Sequence, residues 1–557
     1  MKKLKNLHNK YTMKKISLII IALLSLQAYS QENWFSGSFN SNAQYYLDDN
    51  KTGDFNEDDR FRSNNYLKLD ANFNNFTFGI QVEGYAPQAI LNFSPTFDKK
   101  IGLGNYYANY RTEKLDITAG HFYEQFGNGL ILRSWEDKEL GINNALIGGR
   151  IKYYPANYIQ LTALYGKQRK GFDISDGEIL GFDTELNVSD LFKIEKSSIN
   201  VGFSAVSRIQ DIENAAPSFN KNTNAFSGRL NFSKGNIYTN IEYVLKDEDA
   251  LVEFQTVKTD KLATGTAFVL NTGYSKKGFG IDATFRRLEN MNFFSDREQE
   301  GNLYNEQVVN YIPSLTKQHD YSLTNIYVYQ AQPKLSYNPI GKSGEIGTQI
   351  DIYYNLKKGS SLGGKYGTKL AFNYSSWYGL DAEYNIIDRT YSSEFLSFGK
   401  KYFTDTNLEV RKKWSKQWAS IFTFTNLYYN KRYVEETVGK VNATILVAES
   451  TYKITPKKSI RFEAQHLWTK DDKKNWWGGT LEYNLSPKIS FFATDVYNYG
   501  NEIKKIHYYN FGGSFTKNTT RIALNYGRQR GGLLCVGGIC RVVPESTGVG
   551  LTVSTSF

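Results

Sequence analysis

The segment FTFGIQVEGYA, Phe76–Ala86, alternates strictly. Phe76, Phe78, Ile80 and Val82 share one face, and Thr77, Gly79, Gln81 and Glu83 share the other. Successive side chains of a strand point to opposite faces, whereas a helix would scatter both sets around its circumference. The segment therefore reads as a strand with one oily, aromatic face and one polar, charged face. SIRFEAQ (Ser459–Gln465) repeats the pattern, with Ile460, Phe462 and Ala464 set against Arg461, Glu463 and Gln465. FGIDATF, TQIDIYY and GVGLTVSTSF follow it as well.

Alternation alone also suits a soluble sandwich. Three further features favour a membrane barrel. The candidate strands run about 9–13 residues, the length a tilted bilayer-spanning strand needs. Every second connection is short: Asn74-Asn75, Thr112-Glu113-Lys114, Pro155-Ala156-Asn157, Lys276-Lys277-Gly278 and Ser415-Lys416-Gln417. The intervening connections are longer and polar, which is the outer-membrane arrangement of short periplasmic turns and long extracellular loops. Finally, Val549, Leu551, Val553 and Phe557 share a face of a last strand that ends on an aromatic residue. A terminal strand of this kind is the expected signal to the outer-membrane assembly machinery. The expected fold is an all-β transmembrane antiparallel outer-membrane β-barrel of about 24 strands (range ~20–26), an even number that returns the C-terminus to the periplasm.

Composition agrees. The 557 residues include 41 Tyr, 36 Phe and 46 Gly but only 10 Pro, which favours strands over helices. Mean hydropathy is −0.50, so by hydropathy alone the chain looks soluble. The net charge of +11 is spread among interspersed acids and bases, not gathered on one basic face, so no nucleic-acid partner is expected.

From Met13 the chain reads MKKISLIIIALLSLQAYSQ. Lys14 and Lys15 precede an apolar stretch, Ile16–Leu26, too short to span a bilayer comfortably, and Ala28-Tyr29-Ser30 fits a small-x-small cleavage site. Residues 1–30 are thus expected to be a signal peptide, with 1–12 a possible upstream extension, and 31–557 a single barrel domain. No later stretch of about 18 apolar residues suggests a spanning helix. A barrel of this size is expected to be roughly 45–50 Å across. So wide a lumen would leak if empty. The main long connections, 87–104, 123–147, 289–343 and 376–401, are therefore expected to fold inward or cover the opening, leaving the lumen partly filled.

Four stretches invite a chemical reading. DDNKTGDFNEDD (Asp48–Asp59) tracks a twelve-residue calcium loop, with Asp48, Asn50 and Thr52 at positions one, three and five, Gly53 at the turn, the Asp54 carbonyl, Asn56, and Asp59 closing. Ca2+ is the only cofactor this suggests. The alternative is a solvated acidic hairpin loop. Gly120–Arg150 is too apolar for a free loop; it reads as an inward-folded plug in which Glu124, Arg133, Glu136, Asp137 and Arg150 are placed to pair. A catalytic site around His121 and Glu124 is the competing reading, and no local nucleophile motif supports it. KKGSSLGGKYGTK (Lys357–Lys369) lacks the Ser/Thr and the strand–helix context of a phosphate loop and reads as a longer periplasmic turn. RGGLLCVGGICR (Arg530–Arg541) holds the only two cysteines. Folded as a hairpin with Gly537-Gly538 in a type I′ turn, it sets Cys535 opposite Cys540, and export permits a disulfide. That hairpin should sit at the extracellular side or in the lumen. The shoulders Gly166–Arg169 and Gly527–Arg530 suggest basic side chains at the same mouth.

Together, TAGHFYEQFGNGLILR, GKQR, KKGSSLGGKYGTK and RGGLLCVGGICR resemble an uncharacterised outer-membrane barrel family of Bacteroidota, a domain of unknown function. The resemblance spans nearly the whole chain after the signal peptide. It implies a barrel in the outer membrane of a Gram-negative bacterium, surrounded by outer-membrane lipid, and implies no activity. Three functions remain open: a passive transport or diffusion channel with a plugged lumen, a structural or accessory subunit of an outer-membrane protein complex for secretion or protein assembly, and an enzyme at the barrel mouth. The first is favoured, with no enzymatic activity.

Overall fold

The computed structural model describes residues 34–91, 93–254, 256–298 and 306–557. The expected signal peptide lies outside the described residues. The sheet is a closed antiparallel barrel of 24 strands in which each strand pairs with the next. The first strand, Phe35–Leu47, closes the ring against the last, Ser546–Ser556, in register from Ser38↔Ser556 to Leu47↔Thr547. Closure leaves no free edge, so every spanning backbone group has a partner where water is absent. No helix among the described residues is long and apolar enough to cross a membrane; the crossing is made by strands.

The two faces of Phe76–Gly84 sort as their alternation predicts. Phe76, Phe78, Ile80 and Val82 lie outward and exposed, whereas Gln81 is 3% and Glu83 1% exposed inside. Likewise Phe462 points outward while Glu463 and Gln465 are buried inside. Apolar side chains that stay uncovered on strand after strand form a lipid-facing belt, and the protein resides in the outer membrane.

Most short turns fall where expected, at Asn74-Asn75 and Thr112–Lys114, for example. Pro155 and Ala156 instead end a strand, so that turn narrows to residues 157–158. Lys357–Gly367 is the expected longer periplasmic turn. Strand length departs from expectation more seriously. The pair Ile237–Glu253 and Thr256–Lys276 runs 17 and 21 residues, and Thr368–Asn385 and Thr390–Lys413 run 18 and 24. The segment 376–401 is therefore not an inward loop but the top of a hairpin that continues beyond the membrane. Its charged residues Asp381, Glu383, Arg389 and Glu394 interrupt the apolar face because that face has left the lipid. Similarly, Ile101–Leu103 already belong to a strand, so the connection before it is shorter than 87–104.

At the seam, Phe557 exchanges backbone hydrogen bonds with Gly37 at 2.7 and 2.9 Å. A Cβ at Gly37 would stand 2.5 Å from the Phe557 ring and 3.0 Å from Leu69. Gly37→Leu is therefore expected to displace the ring that locks the closing strands, at a cost of roughly 1–3 kcal/mol by overpacking. Heat-modifiable migration in gels should show a lower unfolding temperature, and an unchanged temperature would refute the role of this contact.

Candidate functional site

The extracellular half of the lumen is occupied by the chain's own connections. Residues 123–145, 290–298 and 306–343 are rich in large apolar side chains and take their backbones inside the barrel. Phe126, Ile131, Leu132, Met291 and Phe293 are almost wholly buried against the inner-face residues Ile179, Val206, Ala225 and Val244. A second cluster seats Tyr321, Leu323, Tyr327 and Tyr329 on Trp377, Tyr402, Tyr429 and Trp476 of the opposite wall. The inner-face residues that meet these loops are apolar only toward the extracellular end. Further down, the same alternating positions carry Ser198, Asn200, Asn231, Asn240 and Asn271. Neighbouring amides there bond one another, as Asn240 and Asn271 do.

A backbone buried in this way needs partners for its N–H and C=O groups. Wall arginines supply many of them. Arg208 donates to the Phe294 carbonyl at 2.7 Å and also holds Asp249, which Arg297 of the loop meets at 2.7 Å. Lys246 donates to the Asn292 carbonyl at 2.7 Å. Arg286 donates to the Pro313 carbonyl at 2.7 Å and to Glu345 at 2.6 Å. Glu345 in turn accepts from the Tyr329 hydroxyl and the Gln332 N–H. Across the barrel, Gln465 accepts from the Leu323 N–H and Trp377 donates to the Leu315 carbonyl. The long connection thus touches strands on several sides of the lumen and crosses it.

The expected plug residues take different roles. Glu124 pairs with Arg150 at 3.2 Å and with Lys152 at 2.7 Å, and Arg150 also reaches Asp116, so Arg150 belongs to the wall. Arg133 makes no ion pair among the described residues; its guanidinium stacks 3.7 Å over the Tyr311 ring. Glu136 accepts from Gln81 at 2.8 Å, and Asp137 accepts from the N–H groups of Glu139 and Leu140. His121 directs Nδ1 at the backbone of Tyr106, 3.2 Å away, while Glu124 is engaged by its two cations; the structure does not pair them as acid and base.

In the Asp48–Asp59 loop, Asp48 accepts from Arg60 at 2.5 Å and from the Phe55 N–H at 2.9 Å. The Arg60 guanidinium holds the Asp48 carboxyl below its usual range. Asp59 turns away to Gln88, and Thr52 meets Thr547. No group of three or more carboxylate, imidazole or thiol side chains that could hold a metal occurs among the described residues.

The cysteine hairpin forms in the expected register, with Cys535–Cys540 bonded, Val536 opposite Ile539, and Gly537 and Gly538 at φ of +57° and +83°. It is tucked into the lumen: the Gly538 carbonyl accepts from the Ser314 N–H at 3.0 Å and the Gly537 carbonyl from the Tyr311 hydroxyl at 2.7 Å. Both basic shoulders also act on internal partners. Arg169 grips Glu83 through two hydrogen bonds of 2.8 and 2.7 Å, with both side chains at most 2% exposed. Arg530 donates to the Asn325 carbonyl at 2.8 Å, and Arg528 pairs with Asp49 at 2.7 Å. Sequence reading missed Arg208, Asp249, Arg286, Arg297 and Glu345. Alternation places Arg208, Asp249, Arg286 and Glu345 on strands, but nothing local names their partners.

Two predictions follow from this geometry. Removing one member of the Arg169–Glu83 pair leaves a buried charge unpaired, so Arg169→Met or Glu83→Leu alone should destabilise by roughly 3–5 kcal/mol, and the double change by far less. Unfolding temperatures of the four proteins check this, and additive losses would count against it. His319 lies in the luminal connection, with Nε2 3.2 Å from the Asn407 oxygen. Burial lowers its pKa from the ordinary value, so the folded state favours the neutral ring. Its stabilising contribution is complete above the unfolded pKa of about 6.5 and is lost as pH falls below it. Protease sensitivity of residues 306–343 should rise as pH falls below about 6.5 in the native protein, and a flat profile would refute the effect.

No curated protein matches the sequence. Among solved structures, the chain is similar to the P pilus usher (PapC) translocation pore at 9% identity and a TM-score of 0.42, over 94% of this chain and 99% of that one. It is also similar to the E. coli P pilus tip assembly intermediate PapC-PapD-PapK-PapG at 10% identity and a TM-score of 0.49, over 95% of this chain and 62% of that one. A third is Pseudomonas aeruginosa OccK2 (OpdF) in complex with glucuronate, at 9% identity and a TM-score of 0.33, over 95% and 99%. A family description matches far more directly, over residues 13–557, and the chain belongs to that family of unknown function, DUF6029.

Proposed function

We propose that the protein is a passive outer-membrane transport barrel whose extracellular half is plugged by its own connections. The observation that carries this reading is the contrast along the lumen. Toward the outside, residues 290–298 and 306–343 rest in the barrel on arginine clamps and two apolar clusters. Toward the periplasm, the wall between Ser198 and Asn271 carries Ser198, Asn200, Asn231, Asn240 and Asn271, and those two apolar clusters lie on the extracellular side. Passage then requires the plug to part or to leave narrow routes between loop and wall. A cavity of about 280 Å³ between Trp135, Asn310, Pro333 and Cys540 marks one place where the packing is loose. The plug is held by polar contacts around its rim and by apolar surface beneath, so its opening depends on both ionic strength and denaturant. No catalytic step is part of this reading.

A second reading, a subunit of a larger outer-membrane assembly, is favoured by the two overlong hairpins. At about 3.3 Å per residue, even strongly tilted strands of 21 and 24 residues outreach a lipid band of ~25 Å. Their tops are tied together by Arg389 and Glu253 at 2.8 Å and expose Phe254 (69%), Ile387 (86%) and Leu396 (64%). Apolar groups held in water beyond the membrane suit a protein partner.

Planar-bilayer recording separates the two. Replacing residues 123–145 by a short turn, which the Phe122↔Leu146 pairing permits, should raise open conductance several-fold if the barrel conducts. Silence in both the native and the shortened barrel, with stoichiometric co-purification of another membrane protein, would overturn the channel reading in favour of the second.

A further inference from the structure

At the periplasmic end the inner face changes character again. Ser459, Asn484, Ser490 and Ser514 form one cross-strand row, each directly opposite the next. The row lies on the luminal face, two residues below Arg461 on the same strand. Its groups already face one another, with Asn484 donating to Ser459 at 3.2 Å and the Ser490 and Ser514 hydroxyls 2.8 Å apart. The periplasmic turns bring Lys453, Lys457, Lys458, Lys488 and Arg521 around the same concavity, a cavity of about 430 Å³.

The charge arrangement is one-sided. The neighbouring carboxylates Glu449, Glu463 and Glu482 are all held by Arg461, at 3.1, 2.7 and 2.7 Å. Among the described residues, the five cations below take no ion pair. Arg169, Arg208 and Arg286 elsewhere in the lumen are matched to carboxylates; here five positive charges and a row of hydroxyl and amide donors line one cavity that has no carboxylate among its lining residues. A concave wall focuses such a field, and ammonium, guanidinium and hydroxyl donors together suit the several oxygens of a doubly charged oxyanion.

We propose that this cavity is an anion site at the periplasmic mouth that takes a phosphate-bearing group. The group comes either from a soluble phosphorylated solute or from a phospholipid headgroup reaching around the rim. The proposal holds whether or not the lumen conducts.

The test is calorimetric titration of the full-length barrel, in a zwitterionic detergent, with inorganic phosphate and with tripolyphosphate. The variant K453Q/K458Q/K488Q removes three cavity charges; K277Q/K365Q/K416Q removes three from turns outside it. All six positions are on or beside exposed turns, and heat-modifiable migration verifies that each barrel is folded. Native protein should bind tripolyphosphate more tightly than phosphate. The cavity variant should weaken tripolyphosphate binding at least tenfold, and the control less than twofold. A single Arg521→Gln change should weaken it several-fold. Equal losses in the two triple variants would reduce the effect to diffuse rim charge and overturn the proposal, as would native protein that binds no tripolyphosphate. Repeating the titration in nanodiscs identifies the source. Binding suppressed by phosphatidylglycerol but not by phosphatidylcholine assigns the site to a lipid headgroup; binding equal in both assigns it to a soluble solute.

Discussion

The structure depends on one constraint: within lipid, each backbone N–H and C=O must find its partner inside the protein. Closure of the first strand on the last meets it, in a register that runs unbroken from Ser38↔Ser556 to Leu47↔Thr547. The seam ends where Phe557 and Gly37 exchange their backbone bonds, with the phenyl ring in the space that a side chain at Gly37 would fill. Once the ring is closed, the alternation of each strand has only two destinations, lipid and lumen. Across the lipid that division sends apolar side chains outward and polar ones inward, as at Phe76–Gly84.

The same demand recurs inside. A connection that leaves water for the lumen carries its own polar backbone with it. Residues 290–298 and 306–343 meet that demand by presenting carbonyls such as Phe294, Pro313 and Asn325 to wall or hairpin arginines. Each of these is a charge-assisted bond, stronger than a neutral one and also geometrically specific. The arginines are themselves balanced, Arg208 by Asp249 and Arg286 by Glu345, so the buried charge is paired. The disulfide-closed hairpin adds a further support, since its glycine carbonyls hold Tyr311 and Ser314. Luminal connection and wall are in this sense one polar network laid over two apolar clusters.

Charge is also layered along the axis. The extracellular half holds paired arginines and carboxylates, and the strands near Arg461 hold carboxylates gathered on a single cation. At the periplasmic end, the cavity around Ser459 and Asn484 is lined by lysines and Arg521, with no carboxylate among its lining residues. This gradient is a property of the lumen and not of any strand, because each layer is assembled from neighbours that are far apart in the chain.

Sequence alone determined the period-two strands, the side each residue takes, the near-even spacing of short turns and, through Gly537-Gly538, the pairing of Cys535 with Cys540. All of these are local: they follow from the geometry of one strand or one turn. The limits of the lipid were not legible, because above the membrane an outer face no longer needs to be apolar, and the hairpin around 376–401 lost its pattern while remaining a strand. The roles of Arg133 and Asp137 were not legible either, since composition shows that a loop is apolar and charged but not which ring or N–H lies beneath each group. Only the tertiary structure decided that Arg169 faces Glu83, 86 residues away, and that Arg286 holds both Glu345 and the Pro313 carbonyl. The physical reason is that alternation is written along one strand, whereas partners across a lumen exist only after 24 strands have closed.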